Sequence, residues 1–292
     1  MANLSKKIDF AVILTVNHAN PNGDPLTGNR PRVTYEGLGE ISDVAIKRKI
    51  RNRLMQMGKK IFVQSDDNRE KGDPYRSLLA RAKAEINVDP KKDEEYRKVA
   101  CEKWIDVRAF GQVFPIKGET KGQGASIGIR GPVSIHSAFS VTKVENRMTS
   151  LQITKSVSTA EGKEGDAGKR ASDTMGMKHR VDHGVYVFYG SMNPQLASKT
   201  EFSDDDAVAI KEALRTLFVN DESSARPAGS MAVHKVYWWE HNTPNGQYSS
   251  AKVHGLLNVK LKDGVEEPHS IDDYAIELGE LADLKCEIID GQ

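Results

Sequence analysis

Alternation of apolar and polar residues with a period of two predicts strands in five stretches of the chain. In "IDFAVILTV" Ile8, Phe10, Val12, Leu14 and Val16 share one face, and in "GPVSIHSAFSV" Val133, Ile135, Phe139 and Val141 do the same. "VYVFYGSM" (185–192), "AVHKVYWWEH" (232–241) and "KVHGLLNVKLK" (252–262) read as further strands, with His254 facing outward from the last. Trp238 and Trp239 are consecutive and must point to opposite faces, so at least one belongs to a core. Two segments follow helical spacing instead. In "ISDVAIKRKIRNRLMQMG" Ile46, Ile50, Leu54 and Met57 form an apolar stripe that Ser42 can cap and Gly58 closes. In "SDDDAVAIKEALRTLF" Ser203 and Asp206 have the spacing of a capping box, and Ala207, Ile210, Leu214 and Leu217 form the buried stripe.

In chain order these elements run strand, helix, insertion, strand, insertion, strand, helix, strand. That is an α+β chain of βαββαβ type, the ferredoxin-like or RRM-like plan, interrupted twice. The expected organisation is 1–60 for the first strand and basic helix, 61–128 for the first insertion and 129–153 for a returning strand. A second insertion occupies 154–184, and 185–292 holds the remaining strands, the second helix and an acidic end. Helical pieces are expected around Pro74–Glu85 and Asp93–Trp104 of the first insertion. The second mixes Gly, Ser, Lys and acids without apolar periodicity and reads as a projecting hairpin. This fold plan hosts RNA binders and enzymes alike, so chemistry has to decide function.

Composition narrows the choice. With 38% hydrophobic and 28% charged residues, 292 residues can bury a full core. The apolar run Phe10–Val16 is too short for a membrane span or a signal sequence. Cys101 and Cys286 are far apart and no C-x-x-C occurs, which argues against a disulfide framework or zinc site and makes the cytoplasm the expected location. The net charge of +1 hides an asymmetry: from Asp263 onward ten acids face one lysine, so the rest of the chain is strongly basic. Seven basic residues and no acid fall in "KRKIRNRLMQMGKK", Lys47 to Lys60. Such a cluster either neutralises phosphates or is a solvated helix face.

Several familiar chemistries are missing. "KGQGASIGIRGP" (121–132) lacks the G-K-[ST] ending of a phosphate cradle and precedes a strand, so it reads as a loop. No H-E-x-x-H or G-x-S-x-G pattern occurs, and His179 and His183 are four apart in an expected hairpin rather than on a helix. No metal, cofactor or catalytic group is expected. More specific is "NHANPNGDPLTGNRPR" (17–32), directly behind the first strand. Asn22 and Asp24 either satisfy backbone amides of a compact turn, or the turn with Arg30 and Arg32 faces a ligand at the strand's end. In the second case Lys47 and Arg51, one helical turn apart, would follow a phosphodiester backbone with it.

"NPNGDP" after the first strand, "SDVAIKRKIRN" in the first helix, "DVRAFGQVF" (106–114), and "MGMKHRVDHGVY" (175–186) with "FSDDD" after it form a set in consistent order. By these motifs the chain resembles the backbone subunit of type I-C CRISPR Cascade complexes, in the Cas-seven superfamily (Csd-two type). The resemblance implies an RRM-like palm, a helical finger from the first insertion and a β-hairpin thumb from the second. It implies copies stacked head to tail along a CRISPR guide RNA, beside a Cas-five type subunit and a large subunit, with target DNA reached through the guide and no membrane. Carried onto this chain, the RNA contacts would be Asn20, Asn22, Gly23, Asp24 and Arg30 in the loop and Lys47, Arg48 and Arg51 on the helix. Arg108, Phe110 and Gly111 would line the groove near the finger. Lys155, Ser156, Met175, Met177, Lys178 and His179 are the thumb candidates, with a methionine as the wedge between bases.

The competing reading is a metal-dependent ribonuclease. Type III backbone subunits, which this chain also resembles, cut target RNA with a loop aspartate, and Asp24 occupies the corresponding loop. The neighbouring sequence offers no second carboxylate pair, and the resemblance is to the type I branch, so non-catalytic RNA binding is the expectation. A general RRM-like RNA binder would need exposed aromatics of the RNP type, and "KVYWWEH" is the one aromatic cluster near a strand.

Overall fold

Strand β1 (Ile8–Ala19) is buried on both faces over most of its length, and the rest of the fold is arranged to cover it. The computed structural model describes residues 3–66, 69, 71–116, 125–155 and 174–292. After β1 come the short pair β2 (Gly23–Asp24) and β3 (Arg30–Pro31), then β4 (Leu38–Ile41) and α1 (Asp43–Gln56). Helices α2 (Leu78–Glu85), α3 (Asp93–Lys103) and α4 (Ile105–Phe110) precede the pair β5 (Gln112–Ile116) and β6 (Ala125–Ile129). Strands β7 (Val133–Ile135), β8 (Ala138–Lys143), β9 (Met148–Lys155) and β10 (Thr174–Met192) follow. The chain continues through α5 (Pro194–Thr200), α6 (Asp204–Arg215) and β11 (Met231–Glu240). It ends with α7 (Ser250–His254), β12 (Leu257–Leu261), β13 (Tyr274–Leu278) and β14 (Cys286–Asp290).

The result is a mixed α/β protein built on one large antiparallel sheet. Its order is β14-β11-β1-β10-β8-β4, with β7 and β9 also paired to β10. One face carries α1 and α6. Ile46, Ile50 and Leu54 of α1 and Ala207, Ile210 and Leu214 of α6 pack over Phe10, Val12, Leu14 and Trp238. Phe10 stacks on Trp238 at 5.6 Å between ring centroids. Both helices begin as their sequences predict. Ser42 Oγ accepts the Ala45 amide at 3.3 Å, and Ser203 with Asp206 forms a reciprocal capping box.

The opposite face is covered as well. Ala11, Ile13, Val185, Tyr237 and Trp239 lie beneath Val253, Leu257, Tyr274 and Leu284 of the C-terminal segment. Trp238 and Trp239 therefore anchor two different cores. The first insertion has a third core of its own, in which Phe62 meets Trp104 at 4.7 Å and Phe114 at 5.1 Å.

Two strand expectations need correction. Residues 252–262 are not one strand: Ser249 caps a short helix through the Lys252 amide, and alternation starts only at Leu257. His254 is consequently buried rather than outward, its Nε2 donating to Gly190 O at 3.0 Å. The segment 133–141 is also broken, at His136 and Ser137. These two residues change the parity, so Val133 and Ile135 point inward before the break and Ala138 and Ser140 after it. Phe139 is left 42% exposed on the other face.

Gly190 marks a close approach of strand and core, since a Cβ there would lie 2.2 Å from Phe10 Cζ and 2.6 Å from Ser134 O. Gly190→Ala should lose about 1–3 kcal/mol of stability by denaturant unfolding, and an unchanged midpoint would contradict this packing. Burial also pushes His183 and His254 below the ordinary imidazole value of 6.5. The unfolded chain then binds more protons below that pH, so stability should rise with pH across the interval just below 6.5. Thermal melting should accordingly fall from neutral pH to about pH 5.5, and a flat or inverted profile would show these rings are not held neutral.

Candidate nucleic-acid interface

The chain leaves β1 into a loop whose polar side chains mostly serve its own backbone. Asn20 is buried: its amide donates to Ala225 O at 2.9 Å and its Nδ2 to Asn29 O at 2.7 Å. A Cβ at Gly23 would sit 1.9 Å from Asn29 Oδ1, so a larger residue there would have to displace the Asn29 side chain. Asn22 Oδ1 accepts from both the amide and the hydroxyl of Ser42 at 3.0 Å, which fastens the loop to the start of α1. Asp24 caps a single helical turn, Pro25–Thr27, by accepting the Leu26 amide at 3.1 Å, and faces Arg32 Nη2 at 3.6 Å. The compact-turn alternative thus describes Asn22 and Asp24. Arg30 stays exposed at the loop's rim.

Of the basic helix, only part faces outward. Lys47 pairs with Asp43 at 3.0 Å, and Arg48 Nη1 donates to Val63 O at 3.3 Å. Lys49 is buried against Asp221 and lies 5.3 Å from the Phe218 ring, and burial pushes its ammonium below the ordinary lysine value. Arg51 donates to Asp106 Oδ2 at 3.0 Å and stacks 5.1 Å from the Phe110 ring. Asp106, itself fully buried, also accepts the amides of Phe62 at 2.7 Å and Val63 at 3.0 Å. Arg51 therefore rivets α1 to the first insertion and does not run beside Lys47 as an open pair.

Arg108 plays a similar part. It grips Asp206 with two hydrogen bonds of 2.8 and 2.7 Å and gives a third, of 3.1 Å, to Cys101 O. Burial works to raise the Asp206 carboxyl, but Arg108 and Ser203 together bring it below the ordinary aspartate value. Phe110 packs partly buried on the first core, and Gly111 holds φ 79° where a Cβ would meet Ile129 O at 2.3 Å. Arg108 and Phe110 join the insertion to the sheet's helices, and Gly111 lies against β6.

One open cleft of about 480 Å³ brings together Asn22, Gly23 and Arg48 from among the candidates. Asn22 and Gly23 line it from the loop, Arg48 and Asn52 from α1, and Ser65 from the segment after it. Its far wall, Asn220 to Arg226, was not among the sequence candidates. Those residues follow α6 in a stretch with no periodicity, and the Asn20–Ala225 hydrogen bond brings them against the loop. Asn20 lies behind the cleft rather than on its wall.

The hairpin of β9 and β10 stands apart from this cleft. Its register sets Met177 opposite Gln152, Lys178 opposite Leu151 and His179 opposite Ser150. Opposed residues share a face, so Met177 and His179 lie on one side while Lys178 joins Leu151 and Ile153 on the other. Met177 is 57% exposed, and His179 Nδ1 lies 2.8 Å from Ser150 Oγ. Ser156 lies outside the described residues, as do the side chains of Lys155 and Met175.

A family model described as CRISPR-associated protein Cas7 matches residues 6–279. The chain belongs to that family. A protein of the same description from Haloferax volcanii is 25% identical over 289 residues, covering 93% of this chain and 80% of that one. Among solved structures, a chain of a "CRISPR RNA-guided surveillance complex, pre-nicking" aligns with TM-score 0.43 and 18% identity over 80% of this chain and 75% of its own. A chain of a "CRISPR RNA-guided surveillance complex" aligns with TM-score 0.41 and 19% identity over 80% and 68%.

The two kinds of cation separate by stability. Arg108→Ala strands a mostly buried Asp206 and should cost on the order of 3 kcal/mol. Lys47→Ala removes a helix-surface pair and should cost no more than ~0.5 kcal/mol. Equal losses in urea unfolding would contradict this division.

Proposed function

We propose that this Cas7-family protein is a non-catalytic RNA-binding subunit of a type I-C CRISPR surveillance complex. Copies stack head to tail along the guide RNA, beside Cas-five type and large subunits, and present the guide for pairing with target DNA in the cytoplasm. Family membership over residues 6–279 is the observation that carries this reading, since that span includes the loop, the basic helix and the hairpin. The strand order β11-β1-β10-β8 with α1 and α6 on one face agrees with an RRM-like palm. Residues 61–128 and the β9–β10 hairpin are then finger and thumb. Because both sheet faces are covered, RNA is held at the end of β1 and not on aromatic residues of an open sheet. Among the described residues no helix is long and apolar enough to cross a membrane.

Asp24 argues for binding over cleavage. Its carboxylate caps its own turn and faces Arg32, the arrangement of a loop-shaping residue. Wild-type protein with divalent metal should leave bound RNA intact, and Asp24→Ala should still bind it. Regularly spaced cuts that disappear in Asp24→Ala would establish the ribonuclease reading instead.

Binding itself is tested by fluorescence anisotropy with unrelated single-stranded RNAs over a range of salt. Affinity should be nearly independent of sequence and fall steeply with salt. Arg30→Ala combined with Arg48→Ala should weaken it roughly tenfold at about 0.1 M salt and flatten the salt slope. Unchanged affinity and slope in a folded double variant would sink the assignment of this edge.

A further inference from the structure

The cleft beside α1 is an unusual place to hold a polyanion. Arg48, Lys49 and Arg226 supply three cations to it, and Asp221 and Glu222 supply two carboxylates. The Asp221 carboxylate already takes Lys49 and, at 3.3 Å, Arg226. Once Lys49 and Arg226 are set against Asp221 and Glu222, Arg48 alone is left to meet a phosphate, so the cleft is not a phosphate clamp. What it offers instead is neutral hydrogen-bonding capacity. Asn52 on α1, Ser65 behind it and Asn220 on the opposite wall all line the cleft, and none has a side-chain partner among the described residues.

Asn220 also holds a left-handed backbone at φ 57°. Such conformations cost energy for any residue but glycine, although asparagine tolerates them better than most. Asn52 follows Arg48 by one helical turn, so guanidinium and carboxamide sit on one face of α1.

These groups match the neutral parts of a ribonucleotide. A carboxamide presents a donor and an acceptor side by side, as a base edge requires. A 2′-hydroxyl is both donor and acceptor, and a carboxylate such as Glu222, costly beside a phosphate, accepts its proton well. The volume of about 480 Å³ lies within the range of small-molecule sites.

We propose that the cleft receives one ribonucleotide of the bound strand and distinguishes RNA from DNA through its 2′-hydroxyl. Asn52, Asn220 and Glu222 are the reading residues. This rests on the RNA-binding function proposed above and adds to it the chemical feature by which the strand is selected.

The test compares three oligonucleotides of one sequence by anisotropy at fixed salt: RNA, its 2′-deoxy counterpart, and 2′-fluoro RNA, which retains the sugar pucker without the O–H donor. The full-length protein should bind RNA about tenfold or more tighter than either analogue, the loss expected for one or two hydrogen bonds. Asn52→Ala with Asn220→Gly, the glycine preserving the left-handed backbone, should weaken RNA roughly tenfold and leave DNA within about twofold. Glu222→Gln alone should narrow the same gap. If the variants bind RNA and DNA in the wild-type ratio, or if 2′-fluoro RNA binds wild type as RNA does, this proposal is overturned while RNA binding stands. Wild-type protein that binds no nucleic acid overturns both.

Discussion

A central strand with two buried faces leaves a protein few surfaces to work with. In β1, Phe10, Val12 and Leu14 need the helices of one layer, while Ala11 and Ile13 need the C-terminal segment of the other. Once both layers are in place neither face of β1 is open. What remains available is the end of the strand, where the chain must turn out of the core. There the loop from Asn20 to Arg32 is fixed on two sides, by Ser42 at the head of α1 and by Ala225 from the segment after α6. The cleft is the gap between those supports, and its shape follows from how β1 is covered.

Ion pairs then reinforce the apolar contacts between these parts. Arg51 with Asp106 ties α1 to the first insertion, and Arg108 with Asp206 ties that insertion to α6. Each pair is mostly withdrawn from water, and each carboxylate has further hydrogen bonds. Paired this way, the charges fix the relative placement of elements more than they add net stability. The insertion has a core of its own, and it is joined to the sheet's core by the buried Ile61, Ile105 and Ala109 as well as by these ion pairs.

Much of this architecture was legible in the sequence because it depends on local periodicity. Ile46, Ile50 and Leu54, the caps at Ser42 and Ser203, and the division of Trp238 and Trp239 between two faces all follow from spacing. Spacing failed where a few residues reset it. Ser249 nucleates a helical turn that buries His254, and the break at His136 reverses which of Phe139 and Ser140 faces the core. For the candidate site the obstacle was different. A run of seven basic residues looks uniform on paper, yet the acids that occupy Lys49 and Arg51 come from Asp221 and Asp106, far along the chain. The wall from Asn220 to Arg226 carries no pattern at all, and only tertiary structure places it against the loop.

The central claim is that nucleic acid lies at the end of β1, between the loop, α1 and the segment after α6. Ultraviolet cross-linking of the full-length protein to single-stranded RNA, followed by mass-spectrometric mapping of the modified peptides, tests it most directly. Cross-links should fall within residues 21–23, 48–52 and 220–226, the walls of the cleft. Cross-links confined to the opposite side of the sheet, at residues 136–141 and 257–259, with none on the cleft, would contradict it.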